Sequence, residues 1–469
     1  MPFLTQGKTN WKYILIVVIL AFIVGGGILG WKYLRLPKEE KIVPQEKAAV
    51  PVGTSMKLAT IGEGFEVDIS LDIKFSPDKN RVAYKAKKDG KWFMIVNDRI
   101  SEAYDYVGSF DFSPDSKQLA YAAKKDGKWF LVVNGQKDKN YYDGVSLITF
   151  SPDSKKLVYV AKKGTKEFVV INGKEGKEYD DIFWDPTFSL DSKQLAYGAR
   201  KGKKMFIVVN NQEGKPYDRV RYIIFGPDSK KLAYIADKEG KELVVTNGKE
   251  SKAYESVENL TFSPDSKRLA YVTRKEEKEG MNPWLREYVV VVNDQEGKVY
   301  NAIENLVFSP DSEKLAYAAG YLEENEILVK KFFVVVDGHE GKIYSKIVLF
   351  GPTVEKPLFS PDSKQLVFVA WDEYETPDGF HETRRFIVID GKEEEVSYTI
   401  DSSTLTFSPD SKKLAYVASQ REKSFVVVTG QKGKEYDKIW GISFSSDGKY
   451  IIYGAKIGNE LWRIVDKIE

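Results

Sequence analysis

Short apolar runs of four to six residues alternate with polar, turn-forming segments along most of the chain. One such unit occupies residues 147–182. It contains strand-like runs at 147–150, 156–161, 167–171 and 177–182, separated by Pro152-Asp153, Lys163-Gly164 and Asn172-Gly173. Runs rich in Val, Ile, Ala and Tyr that are bounded by such dipeptides are typical of antiparallel β-strands joined by tight turns. The pattern predicts an all-β protein.

The turn between the first two runs is the most repeated feature of the sequence. It reads Phe-Ser-Pro-Asp in most copies, with departures at Leu190, Gly226 and Ser446. Ten copies, mostly 37 or 38 residues apart, begin at Phe75, Phe112, Phe150, Phe188, Phe225, Phe262, Phe308, Phe359, Phe407 and Phe444. Because Pro presets φ at the first corner and Asp can bond to the downstream backbone, we interpret the repeated Asp as a turn former. The period predicts a repeat architecture.

Four antiparallel strands in about 40 residues make up one blade of a β-propeller. We therefore predict about ten four-stranded blades in one ring, with two smaller rings as the alternative. A Tyr such as Tyr179 opens the fourth run of most units, and we expect it to pack between blades. The last unit ends after its third run, at 460–465, so we expect the run at 65–69 to complete it and close the ring.

The turn and the Lys-Lys-Leu that follows it, at 150–157, resemble the WD-repeat-like propeller repeat. That repeat occurs in TolB-type periplasmic propellers and in the propeller domains of some oligopeptidases, and the resemblance covers about 67–465. It implies a β-propeller but no particular function, because propellers serve as scaffolds, receptors and enzymes alike. The third runs mostly end in Val-Asn-Gly or related sequences, where strict WD repeats have Trp-Asp.

One segment near the amino terminus differs from the repeats. Nineteen uncharged residues separate Lys12 from Lys32, which is enough for a helix that crosses the hydrocarbon layer. We predict a tail at 1–12, a transmembrane helix at 13–33, a Lys-, Glu- and Pro-containing linker at 34–56 and the propeller at 57–469. A cleaved signal peptide is the alternative for the apolar run.

The two indications of membrane orientation disagree. Lys8 and Lys12 precede the span while Lys32, Arg35, Lys38 and Lys41 follow it. This distribution alone would place the large domain in the cytoplasm. A short tail, one span and a large following domain are, however, the usual arrangement of an uncleaved signal anchor. We expect an extracytoplasmic large domain, with the cytoplasmic orientation as the alternative.

The composition excludes several kinds of site. With 71 Lys and Arg against 69 Asp and Glu, no net basic field favours nucleic acid. The chain has no Cys, and its His residues are His339 and His381, so thiol catalysis and a multi-histidine metal centre are excluded. Neither a Gly-x-Ser-x-Gly elbow nor a phosphate-binding Gly-rich loop occurs. We expect no cofactor and no metal, and we interpret the acidic segment 372–378 as a solvated loop.

Four insertions interrupt the regular spacing, at 274–287, 320–331, 348–358 and 371–385. Three fall between second and third strands and one between a fourth strand and the next first strand, so we expect all four on one face. Loops on a rigid scaffold often carry recognition. The candidate ligand-binding residues, from the insertions and from the first strands near the central opening, are Trp184, Tyr222, Trp284, Tyr321, Trp371, Tyr374, His381 and Trp440. Decorated loops and inner-strand packing are the competing interpretations.

These features predict a membrane-anchored, non-catalytic binding or scaffold module for a protein, a peptide or a cell-surface polymer. The alternative is an extracytoplasmic glycan-active enzyme that uses carboxylates near the central opening. Two carboxylates facing one another across an aromatic-lined pocket would favour the enzyme, whereas a flat or plugged channel would favour the binding module.

Overall fold

The computed structural model describes residues 54–68, 72–276, 286–321, 331–344, 346–347, 357–375 and 381–468. The predicted tail, the predicted transmembrane helix and most of the predicted linker lie outside these residues. Within the described ranges no helix has the length and apolar character that a membrane crossing requires.

The described chain consists of β-strands joined by turns. The first part comprises β1 (Met56–Thr60), β2 (Ile73–Phe75), β3 (Val82–Lys88), β4 (Lys91–Val96), β5 (Arg99–Ile100), β6 (Tyr106–Phe112), β7 (Leu119–Lys125), β8 (Lys128–Val133), β9 (Gln136–Lys137), β10 (Gly144–Phe150), β11 (Leu157–Lys163), β12 (Lys166–Ile171), β13 (Lys174–Glu175), β14 (Asp181–Phe188), β15 (Leu195–Lys201), β16 (Lys204–Val209), β17 (Gln212–Glu213), β18 (Arg219–Phe225), β19 (Leu232–Lys238), β20 (Lys241–Thr246) and β21 (Lys249–Glu250).

The second part comprises β22 (Ser256–Phe262), β23 (Leu269–Arg274), β24 (Tyr288–Val292), β25 (Gln295–Tyr300), β26 (Ala302–Phe308), β27 (Leu315–Tyr321), β28 (Lys331–Val336), β29 (His339–Glu340), β30 (Lys346–Ile347), β31 (Leu358–Phe359), β32 (Leu366–Glu375), β33 (His381–Ile389), β34 (Lys392–Val396), β35 (Thr399–Phe407), β36 (Leu414–Gln420), β37 (Lys423–Val428), β38 (Gln431–Tyr436), β39 (Lys438–Phe444), β40 (Tyr450–Ile457) and β41 (Glu460–Lys467).

These strands form ten antiparallel sheets, which are the blades. Blades 1 to 7 each take four consecutive strands, starting at β2, β6, β10, β14, β18, β22 and β26. Blade 8 contains β30 to β34, blade 9 contains β35 to β38, and blade 10 has the order β39-β40-β41-β1. The predicted all-β propeller of ten four-stranded blades is confirmed.

The repeated turn owes its composition to local hydrogen bonds around a buried Ser. In blade 3 the hydroxyl of Ser151, which is fully buried, donates to Asp153 Oδ1 at 2.6 Å and accepts from the backbone N–H of Lys156 at 2.9 Å. Asp153 Oδ1 also accepts from the N–H of Lys155 at 3.1 Å. These bonds favour the ionised carboxylate and hold the pKa of Asp153 below its ordinary value. The geometry confirms that this Asp is a turn former.

The outermost strands are shorter than the sequence pattern suggested. In blade 3 the outermost strand β13 has two residues, and beyond it Tyr179 makes a single antiparallel bridge to Glu167. The predicted fourth run at 177–182 therefore divides, because Asp181 already begins the innermost strand of blade 4. The ring of Tyr179 meets that of Tyr197 in the next blade edge to face, with centroids 6.2 Å apart. Its predicted packing between blades is confirmed.

The hydrophobic core is divided among the junctions between neighbouring blades. Ten clusters of buried side chains occur in the described chain, and each combines strands of two adjacent blades. One of them joins Leu58 and Leu461 of blade 10 to Tyr84 and Ile95 of blade 1. Because the junctions run without interruption from blade 1 to blade 10 and back to blade 1, the domain is a single closed ring.

The strand that closes the ring differs from the predicted one. Met56–Thr60 pairs with β41, whereas Glu66 makes a bridge to Lys87 within blade 1. The predicted run at 65–69 therefore belongs, in its described part, to the innermost edge of blade 1. Side-chain packing explains the difference, because Phe65 lies edge to face against Phe93 of blade 1, with centroids 5.6 Å apart.

One insertion also lies elsewhere than predicted. Ile347 pairs with Ala370 and Leu358 pairs with Val367, so both ends of the insertion at 348–358 pair with the same strand, β32. The added residues interrupt the innermost strand of blade 8 and do not connect two blades. The insertions at 274–287, 320–331 and 371–385 fall between second and third strands, as predicted.

Candidate functional site at the central opening

The innermost strands of the blades share a local irregularity. Each is the first strand of its blade, paired on one side only, and in a β-propeller the blades are arranged radially with this first strand nearest the central channel. In blade 5 the register with β19 shifts between Arg221 and Ile224, and two residues lie opposite the single residue Tyr234. Such an extra residue is a β-bulge, which redirects a side chain. Left-handed backbone conformations mark the bulge in several blades, at Leu147, Trp184, Tyr222, Asn259, Asn305 and Gly441.

Two of these bulges place aromatic side chains together at the central opening. Trp184 of blade 4 and Tyr222 of blade 5 are 43% and 51% exposed. Their rings stack with centroids 5.6 Å apart and an angle of 28° between their planes. The indole Nε1 of Trp184 donates to the backbone carbonyl of Val220 at 3.0 Å. The polar atom of Trp184 is thus bonded within the protein, while much of the aromatic surface of the pair remains exposed to solvent.

The backbone at both aromatic residues is strained. Trp184 has φ 66° and Tyr222 has φ 53°, in the left-handed region that Gly and Asn adopt far more readily than bulky residues. Conformations of this kind cost about 1–3 kcal/mol each and are concentrated at functional sites. In blade 4 the neighbouring Pro186 is buried and the Thr187 hydroxyl donates to the carbonyl of Asp185 at 2.9 Å. These contacts hold the bulge that carries Trp184.

A buried ion pair lies beside Tyr222. It joins Arg221, the preceding residue on β18, to Glu242 on β20. Arg221 binds Glu242 through two hydrogen bonds, Nε to Oε1 at 3.1 Å and Nη2 to Oε2 at 2.6 Å. Arg221 Nη2 also donates to the carbonyl of Val257 in blade 6 at 2.6 Å, and its guanidinium lies 4.9 Å from the centre of the Tyr222 ring. The pair fixes the position of the Tyr222 bulge relative to the next blade.

An acidic cavity continues the site between blades 6 and 7. It has a volume of about 320 Å³, and its described lining includes Glu258, Asn259, Tyr288 and Glu304. Glu258 and Glu304 occupy equivalent positions, each directly before a bulge Asn and each equivalent to Arg221 of blade 5. Burial, with a further contribution from the Glu258 charge, raises the pKa of Glu304 to about 7.

Two further predicted site residues, Trp440 and Tyr321, pack into the core of the described chain. Trp440 is on the innermost strand of blade 10, but its ring packs against Phe75 of blade 1, with centroids 5.6 Å apart, inside the core junction. Tyr321 packs between Tyr300 and Phe333 and donates its hydroxyl to Glu340 at 2.9 Å. Inner-strand and interblade packing accounts for both.

Trp371 and the insertion that follows it form an extended hairpin. β32 and β33 pair as far as Glu375 and His381, so Tyr374 and His381 belong to this hairpin. The half-buried Trp371 lies beneath the Arg385 guanidinium, which is 5.5 Å from the ring centroid. Trp284 lies outside the described residues. Of the eight predicted residues, the structure brings Trp184 and Tyr222 together.

The sequence contains a signal for the acidic cavity that a search for known catalytic motifs does not detect. Glu258-Asn259-Leu260 and Glu304-Asn305-Leu306 repeat the same tripeptide at the same distance before the Phe-Ser-Pro-Asp turn in successive units. Asn is among the residues that most readily adopt a left-handed conformation. Among the described residues no group of three or more His, Asp or Glu side chains has the arrangement of a metal site.

No protein-family model matches the chain, and no curated protein matches it. Among solved structures it is similar to the β-propeller domain of the Trilobed protease from Pyrococcus furiosus, at 10% identity over 77% of this chain and 94% of that chain, with a TM-score of 0.29. It is also similar to the tricorn protease, at 11% identity over 83% of this chain and 43% of that chain, with a TM-score of 0.31. A third similarity is to TolB from Acinetobacter baumannii, at 17% identity over 57% of this chain and 77% of that chain, with a TM-score of 0.25.

The fold itself is established by the ten blades and their closed order. Membership of a WD-repeat-like or TolB-type family stays a prediction from the repeated turn. The structure shows that the chain forms a ten-bladed β-propeller.

Proposed function

We propose that this protein is a non-catalytic binding module that holds a segment of a protein, a peptide or a cell-surface polymer at its central opening. The observation that carries the proposal is the stacked pair of Trp184 and Tyr222. Both rings are exposed and both residues occupy strained backbone. The indole N–H of Trp184 and the guanidinium of Arg221 beside Tyr222 are already hydrogen-bonded within the protein. Aromatic residues of this kind contribute strongly to binding because they offer a large rigid surface at a low entropic cost.

We further propose that the amino-terminal segment anchors this module in a membrane. The nineteen uncharged residues between Lys12 and Lys32 support a single membrane anchor, with the propeller held outside the cytoplasm. Protease treatment of intact cells tests this placement. Digestion of the propeller before lysis is the expected result, and full protection until lysis would show a cytoplasmic domain.

Quantitative capture from a membrane extract tests the binding proposal. The bait variants are the full chain, the Trp184→Ala/Tyr222→Ala double variant and Tyr141→Ala, which removes an aromatic residue that is 56% exposed elsewhere. We expect a ligand that is retained by the full chain and by Tyr141→Ala to be lost with the double variant. Equal recovery with all three baits would refute the proposal.

The inserted loops provide a second, independent comparison. Shortening the hairpin at 371–385 or removing 322–330, between β27 and β28, alters one face of the ring without touching the innermost strands or the packed Tyr321. If the loops contribute to the same ligand, both variants should fold normally and retain less of it than the full chain does. Unchanged recovery would restrict the binding surface to the central opening.

The glycan-active enzyme remains a second candidate because of Glu304. A carboxyl group with a pKa of about 7 beside a second carboxylate is suited to act as a general acid, with Glu258 as its partner. The two groups come from equivalent positions on neighbouring strands, and one aromatic residue, Tyr288, is among the described lining. Release of reducing ends from oligosaccharides, abolished by Glu304→Gln, would establish this activity.

A further inference from the structure

The exposed aromatic pair and the acidic cavity together form a surface with one consistent chemistry. We propose that Trp184, Tyr222, Glu258 and Glu304 form a site for the ammonium or guanidinium group of a peptide segment that carries Lys or Arg. This inference rests on the proposed function and adds the chemical class of the ligand.

The four residues belong to one continuous row along the central opening. They stand at or directly before the bulges of blades 4, 5, 6 and 7. Two hydrogen bonds join the successive strands, from Trp184 Nε1 to the carbonyl of Val220 and from Arg221 Nη2 to the carbonyl of Val257. A ligand segment lying across these strands therefore contacts the aromatic pair and the carboxylates in turn.

The aromatic part of the row favours a cation. The faces of Trp and Tyr rings carry partial negative charge, and a Lys or Arg cation within about 6 Å of the ring centre is attracted to them. Among the described residues, Arg221 is the cation that lies against the Tyr222 ring; it is buried, and its charge is balanced by Glu242. Exposed ring surface at Trp184 and Tyr222 remains for an external group.

The carboxylates of Glu258 and Glu304 carry negative charge that the other described residues lining the cavity do not balance. None of the described residues that line the cavity is Lys or Arg. A cavity of about 300 Å³ between blades 5 and 6 differs, since its lining has the cations Lys231, Lys249, Lys267 and Arg268 beside the carboxylates Glu250 and Asp294. Glu258 and Glu304 thus attract a cation and repel a polyanion, while a neutral sugar would use the aromatic pair without needing these charges.

Protonation of Glu304 should control the site near neutral pH. The charged group that faces Glu304 is Glu258 from β22, and Tyr288 of β24 is the other titratable residue in the described lining. A bound cation favours the ionised carboxylate, so binding should be strongest above the raised pKa of about 7 and weaken as the pH falls through it. The same shift makes the free protein less stable as the pH rises from 4.5 to about 7.

Isothermal titration of the full-length protein in an uncharged detergent tests the inference. The probe is an acetylated and amidated peptide, Gly-Lys-Ala-Arg-Gly, and its comparison replaces Lys and Arg by Gln. At about pH 8 we expect the cationic peptide to bind at least about tenfold more tightly than its Gln counterpart, and about tenfold more tightly than it does at about pH 5.5. Glu258→Gln/Glu304→Gln should weaken binding about tenfold and remove the pH dependence.

The matched control is Glu239→Gln/Glu313→Gln, which removes two exposed carboxylates from other parts of the surface and should leave binding unchanged. A thermal unfolding series against pH provides a second readout, because Glu304→Gln should flatten the profile between pH 4.5 and about 7. This result also shows that the variant is folded.

The outcomes separate this inference from the proposed function. Failure of the cationic peptide to bind at about 1 mM, or equal affinity for its Gln counterpart, overturns the inference. Binding of cellotetraose that depends on Trp184 and Tyr222 but not on Glu258 and Glu304 also overturns it, yet leaves the proposed binding module standing. If the Trp184→Ala/Tyr222→Ala variant captures as much ligand as the full chain does, the proposed function itself is refuted.

Discussion

Trp184 and Tyr222 occupy backbone conformations that their own side chains disfavour. At the equivalent bulges blades 6 and 7 have Asn259 and Asn305, and blade 10 has Gly441. Those residues adopt left-handed φ values at little cost, whereas a bulky residue is disfavoured there by about 1–2 kcal/mol. The stacking of the two rings offsets part of this cost, since aromatic pairs contribute about 0.5–1.5 kcal/mol. Stability alone therefore gives little reason for aromatic residues at these two positions.

Tyr222→Asn tests this separation of binding from stability. The substitution removes the stacked ring and relieves the strain, so the free energy of unfolding should change by no more than about 1 kcal/mol. Ligand capture should nevertheless be lost. Urea denaturation and the capture experiment measure the two quantities on the same preparation. A loss of several kcal/mol would show that Tyr222 is primarily a structural residue.

At the scale of the element, the repeated turn also connects neighbouring blades. The Ser that follows the Asp has a left-handed backbone, for example φ 61° at Ser192, where Gly would be the least strained choice. Its hydroxyl accepts the backbone N–H of the corresponding Asp in the preceding blade. The N–H of Asp153 reaches Ser192 Oγ at 3.0 Å, and the same bond recurs at 2.9–3.0 Å at seven other junctions, from blades 1 and 2 to blades 8 and 9.

Two substitutions at Ser192 distinguish its hydroxyl from its backbone conformation. Ser192→Ala keeps the strained φ and removes the acceptor, so it should destabilise the protein by about 1 kcal/mol. Ser192→Gly also removes the acceptor but relieves strain, and should therefore be less destabilising than Ser192→Ala. Equilibrium urea unfolding gives both values.

Ser146→Ala, at an exposed position on β10, is the control, with an expected change within about 0.5 kcal/mol. If Ser192→Ala behaves like this control, the interblade hydrogen bond contributes nothing measurable.

At the scale of the whole molecule, the ring is held together differently where its ends meet. Blade 10 has Gly448 and blade 1 has Lys79 in place of the connecting Ser, and neither carries a hydroxyl group. Closure there depends on β1 pairing with β41 and on the burial of Leu58 against both blades. Additional bonds come from Ser55 Oγ, which accepts the N–H of Val465 at 2.9 Å.

Leu58→Ala should therefore open the ring locally. Truncating a buried Leu costs about 2–5 kcal/mol, and here the loss falls on a terminal strand that has few other contacts. Hydrogen exchange should become faster in β1, β41 and blade 1, while blades 4 to 6 keep their protection.

Leu131→Ala, which truncates an equally buried residue between blades 2 and 3, is the control and should affect those blades instead. Faster exchange spread evenly around the ring after Leu58→Ala would contradict a weak point at the closing junction.

Features that depend on neighbouring residues and recur in every unit could be predicted from the sequence. The Ser-Pro-Asp turn, the four strands of a blade and the Tyr packed between blades depend on residues close together in the chain, and all appear in the structure as predicted. The choice of closing strand was not readable, because 56–60 and 65–69 are both short apolar runs. Packing of Phe65 on Phe93 and of Leu58 into the junction of blades 10 and 1 decided it.

The sequence by itself determined the number of blades, the order of strands within a blade and the nature of the turns, because each is encoded within about 40 residues and repeated ten times. Only the tertiary structure decided which aromatic residues meet at the central opening. Trp184 and Tyr222 stack, while the half-buried Trp440 packs against Phe75, because a register shift against the second strand and the side chains of the adjoining blade set the direction of each bulge. Those neighbours are about 40 residues away in the chain and become adjacent only when the blades pack.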